Sequence, residues 1–169
     1  MTRFRTCLLV FAIAAAQFAA EASAQPYLDA TAKSSGYYKY GPSHGSASRR
    51  LRHARDYAVD VHAYTHTAKK VDPKAAQKDV AEIDRNLKGA KEDFDHIRKQ
   101  AGANKAAKPH LDAIDKHLAT AQAEVKKLHD ACEAGELTKD STHTCCSAIY
   151  ESLEKATEEH EALLKKMEK

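Results

Sequence analysis

The sequence has no tryptophan, only four phenylalanines and only two methionines, so aromatic stacking platforms and methionine-rich metal motifs are not available to it. Glycine (six) and proline (four) are equally scarce across 169 residues, which leaves few places for the chain to break a regular element. There is no Cys-x-x-Cys-His, which excludes covalent c-type haem. No glycine-rich phosphate loop, serine-nucleophile motif or paired-carboxylate signature is present, so catalysis is not expected and the chain is read as a non-enzyme. The carboxylate di-iron pattern needs paired Glu-x-x-His segments, and the nearest match is a lone Asp93-x-x-His96.

A large excess of one charge is missing too. The formal charge is +3, with acidic and basic residues interleaved along every segment, and nucleic acid is therefore not an expected partner. The one long apolar run, Cys7 to Ala20, follows Arg3 and Arg5 and leads to Ala22-Ser23-Ala24, a small-x-small cleavage signal. At about 14 residues it is shorter than the roughly 20 a spanning helix needs. Residues 1–24 thus read as a signal peptide, and the mature chain is expected to be periplasmic or secreted, without membrane insertion. Loss of Arg3, Arg5 and Glu21 with the leader takes the formal charge from +3 to +2.

What is abundant is Ala, Lys, Glu, Asp and Leu, a helix-forming composition. Residues 25–45, containing Tyr27, Tyr37, Tyr38 and Tyr40 among Gly, Ser and Pro, show no sustained period and read as an irregular arm. Beyond it, apolar residues recur at spacings of three and four. Leu51, Ala54, Ala58, Val61 and Thr65 form one stripe; Val80, Ile83, Leu87, Ala90, Phe94 and Ile97 a second. Leu111, Ile114, Leu118, Ala121, Val125, Leu128 and Cys132 form a third, and Cys146, Ile149, Leu153, Ala156, His160 and Leu163 a fourth. Pro73, Gly102, Pro109 and Gly135 punctuate the pattern at intervals of about 30 residues, too often for one long coiled coil. The expectation is an all-α, antiparallel up-down-up-down four-helix bundle over 46–169, with helices near 46–71, 73–102, 108–133 and 141–168.

Ten histidines stand out in this background. His62 and His66 are four apart and share one helix face, a spacing used by helical zinc and copper sites. Turns centred near 71/72, 105 and 136 put His129 level with His143 and with His62. Cys132, Cys145 and Cys146 follow within three residues of those histidines, so imidazole and sulfur are expected to converge at one end of the bundle. At the opposite end His160 takes a stripe position where Leu or Ile is usual, with His96, His110 and His44 near its level and with Asp93 and Glu159 as orienting carboxylates. The expected ligand set is His62, His66, His129, His143, Cys132, Cys145, Cys146, His96, His110 and His160, and the expected ion is copper or zinc.

Cysteine allows another outcome. Cys132 and Cys146 flank one turn in an oxidising compartment, so a disulfide between them is expected, leaving an unpaired thiol open to metal or to a homodimer. The functional expectation is an exported metal-binding bundle for sequestration or delivery. Competing readings are a ligand-free structural or interaction bundle, a pH sensor built on the imidazoles, and a bundle holding non-covalent haem between two histidines.

Overall fold

The computed structural model describes residues 41–167, and the expected signal peptide and most of the expected arm, up to residue 40, lie outside them. The described residues form four helices and no strand: α1 Pro42–Thr67, α2 Pro73–Ala101, α3 Lys108–Ala134 and α4 Lys139–Met167. α1 packs on α2 and α4, and α3 packs on α2 and α4, closing a four-helix bundle.

α1 begins one turn earlier than the expected start at 46. Pro42 sits in its first turn, where a fixed φ suits the helix and the missing N–H costs nothing. Gly41 ahead of it takes φ 103°, a conformation that favours glycine. Ser46, at the expected start, lies inside the helix within reach of Arg50 Nε at 3.4 Å. The other end also differs, because α1 stops at Thr67 rather than Val71 and Ala68 is already extended. The Thr65 and Thr67 hydroxyls donate to the Val61 and Ala63 carbonyls. Tyr64 pins the turn by accepting the Asp72 N–H at 3.0 Å. The residue before a proline disfavours helix, and Asp72 uses that extended geometry to cap α2, accepting from the Lys74 N–H at 3.0 Å.

Two glycines end helices with positive φ, Gly102 at 52° and Gly135 at 73°. At Gly135 the Glu136 N–H reaches the Ala131 carbonyl and the Gly135 N–H reaches that of Cys132, a Schellman closure. The start of α4 is capped by Thr138, three residues ahead of the expected start at 141. Thr138 Oγ1 accepts the Ser141 N–H while Ser141 Oγ accepts the Thr138 N–H, each at 3.2 Å.

The core is the four stripes: Leu51, Ile83, Leu87, Phe94, Ile97, Leu111, Ile114, Leu118, Leu128, Ile149, Leu153 and Leu163 are fully buried. Polar ties are few. Arg50 crosses from α1 to Asp93 on α2 at 3.0 Å, lying over Gly89, where any Cβ would collide with the guanidinium. Arg98 joins α2 to α3 through Asp112 and Asp115. Lys108 and Arg98 together hold the Asp112 carboxyl below the usual carboxylate range.

The expected Cys132–Cys146 disulfide is absent. Cys132, Cys145 and Cys146 are free, buried thiols. Cys145 interacts with Glu124 and Lys127 of α3. Lys127 lies five residues before Cys132, about 7.5 Å of helix rise, so Cys145 meets α3 more than one turn short of that thiol. Cys146 faces the other way, into the seam with α1. Burial pushes Cys132 up, Cys145 up to about 11 and Cys146 up to about 12. These thiols are held protonated.

Candidate metal centre

The seam between α1 and α4 contains imidazole contacts near both of its ends. Toward the C-terminus of α1, His62 Nε2 lies 2.9 Å from His143 Nδ1, in the first turns of α4. Their ring centroids are 5.0 Å apart and tilted by 45°. His66, one turn along α1, stacks beside His62 at 5.9 Å and 19°. His62 is half-buried, whereas His66 and His143 are exposed, so all three can reorient at little cost in packing. The i, i+4 spacing puts the first two on one face of α1, and packing against α4 brings in the third.

Below His62 the seam opens into a groove of about 370 Å³ lined by Val59, Cys146, Tyr150 and Glu154 among others. Arg55 lies over the Tyr150 ring at 5.4 Å and covers part of this surface. Cys146 thus shares a groove with His62, but as a buried, protonated thiol it must lose its proton before it can ligate.

Near the opposite end, His44 Nδ1 lies 2.9 Å from His160 Nε2 and the rings stack at 5.2 Å and 9°. Both side chains are buried, at 1% and 0% exposure, and the Phe94 ring meets His160 edge-on at 5.0 Å. Burial holds His44 below its ordinary range. His160 falls to about 3, through burial first and the neighbouring His44 second. Nearby, His110 Nδ1 and Glu159 Oε2 are 2.7 Å apart.

The remaining expected ligands are dispersed. His129 does not join the His62 cluster; its neighbours are carboxylates, Asp130 and Glu133 of its own helix. His96 is exposed on α2, and Asp93, expected to orient it, is bound to Arg50 instead. Cys132 and Cys145 stay in the α3–α4 packing. His44 lies near His160 as its level suggests, but within α1 rather than in the arm, because Pro42 starts the helix. One group has no counterpart among the expected ligands. Asp130 and Glu133 were passed over although Glu133 stands four residues after His129, the same spacing that singled out His62 and His66.

No protein-family model matches the chain, and no curated protein or solved structure matches it significantly. The chemistry of these clusters therefore stands on geometry alone.

Proposed function

We propose that the protein is an exported up-down-up-down four-helix bundle that binds a transition-metal ion, copper or zinc, for sequestration or delivery, with His62, His66 and His143 as ligands. One observation carries this reading: the 2.9 Å approach of His62 Nε2 to His143 Nδ1 on an accessible seam, with His66 stacked alongside. Zinc binds imidazole nitrogen at about 2.0–2.1 Å, so two nitrogens on one tetrahedral ion stand about 3.3 Å apart. The pair needs to open by only a few tenths of an ångström. An ion would take the place of the shared hydrogen, which would move to the other nitrogen of its own ring; His66 would add a third donor from the adjacent turn, leaving room for water or an incoming ligand. Imidazole donors suit copper and zinc ahead of magnesium or calcium. A three-imidazole site with an exposed fourth position suits uptake and release better than permanent burial of the ion.

The test is the metal content of untagged protein isolated from its native compartment, followed by zinc and copper titration of the metal-free chain. His62→Ala is expected to weaken binding by at least roughly 10- to 100-fold, the cost of losing even a residue that only orients a ligand. Absence of bound metal together with an unchanged melting temperature under excess copper or zinc overturns the reading.

A further inference from the structure

The last two turns of α3 carry a different donor set. One ligand atom each from His129, Asp130 and Glu133 lies within 4.8 Å of the others, and His129 Nδ1 is 3.5 Å from Glu133 Oε1. Spacing of four puts imidazole and carboxylate on one face, and Asp130 flanks them from the next position. One nitrogen and two oxygens make a harder set than three imidazoles.

The charge balance of the helix ends points the same way. In their last turns α1 carries His66, α2 Arg98 and Lys99, and α4 Lys165 and Lys166, each placed to offset the negative end of the helix dipole. The last turn of α3 has no basic residue; it carries Glu133, with Asp130 just ahead of it. The chain's own cation reaches this spot from one turn back: Lys126 Nζ lies 2.7 and 3.0 Å from the two Asp130 oxygens. Positive charge is thus drawn to the place where the imidazole stands ready as a directional donor.

We propose that His129, Asp130 and Glu133 form a second metal site, for a divalent ion of borderline hardness, so that the chain binds two ions at the same end of the bundle. The site is independent of the imidazole cluster on the α1–α4 seam. Its ion displaces Lys126 from Asp130 and is coordinated on one side only, leaving the rest of its shell to water.

Calorimetric titration of the metal-free, full-length chain with Zn²⁺ separates the two sites. Two binding events are expected. The double substitution His129→Ala with Glu133→Gln should abolish the weaker event and leave the stronger, while His62→Ala with His143→Ala does the reverse. Lys126→Ala should tighten the weaker event about twofold, because it removes an exposed competitor worth a few tenths of a kcal/mol. These positions lie on the surface, and unchanged helical circular dichroism verifies each variant. A single event that follows His129 sustains this site and sinks the imidazole reading. A single event that follows His62, or a second event indifferent to His129 and Glu133, overturns the proposal.

Discussion

The two ends of the α1–α4 seam hold the same contact in opposite surroundings. At each, a ring nitrogen of α1 meets a ring nitrogen of α4 at 2.9 Å. His44 and His160 are sealed in the core against Phe94, whereas His62 and His143 lie at the surface with His66 beside them. In the core, charge of any kind is costly, and the pair serves as a neutral, hydrogen-bonded packing unit. At the surface the same pair can part and accept a cation. Burial, rather than residue type, divides the histidines into packing elements and candidate ligands.

The largest expected effect follows from the buried pair. The His160 imidazole titrates near 6.5 when unfolded but near 3 in the bundle, through burial and then the adjacent His44. Below pH 6.5 the unfolded chain therefore binds a proton that the folded chain refuses. Stability is complete above pH 6.5 and falls as pH drops from there toward 3. At about 1.4 kcal/mol per unit, the loss at pH 3 is on the order of 4 kcal/mol. Urea unfolding at pH 7 and pH 4 measures it. His160→Leu should flatten the acid slope, and a variant as acid-sensitive as the natural chain would break the contrast between the ends.

Most of this architecture was legible in sequence because it rests on apolar spacing. All seven residues of the third stripe are buried, and the turn positions alone put His62 level with His143, which it meets. Legibility ended where a local signal had rivals. Ser46 and Pro42 both look like helix starts, and only packing of His44 against His160 shows which one acts. Cys145 and Cys146 are adjacent in sequence but turn toward different helices, a fact that rotation about the α4 axis determines and spacing around one turn cannot. For the same reason His129, level with His143, still belongs to another face.

A smaller effect comes from the exposed end. An ion that binds only the folded chain stabilises it by about 2.7 kcal/mol at a free concentration of 100 times Kd. Zinc should therefore raise the melting temperature of the natural chain by several degrees. His62→Ala, titrated at the same zinc concentration, should lose most of that shift, and His160→Leu should keep it from a different starting stability. Equal loss in both variants would mean that the ends are not separate, and that zinc acts on the fold as a whole.

The smallest effect sharpens the comparison most, because it is measured without metal. His143 is exposed, and its contact with His62 is a hydrogen bond between groups that water can satisfy as well. His143→Ala in metal-free protein should change unfolding stability by no more than about 0.5 kcal/mol, the usual range for a surface substitution. His160→Ala deletes a fully buried ring beside Phe94 and leaves a cavity, which costs about 3 kcal/mol or more. If the two substitutions cost the same, the exposed pair is a structural clasp and its histidines are already committed to the fold. If they differ as expected, the contact between His62 and His143 contributes little to the fold, and the two rings can part at little cost when an ion is offered.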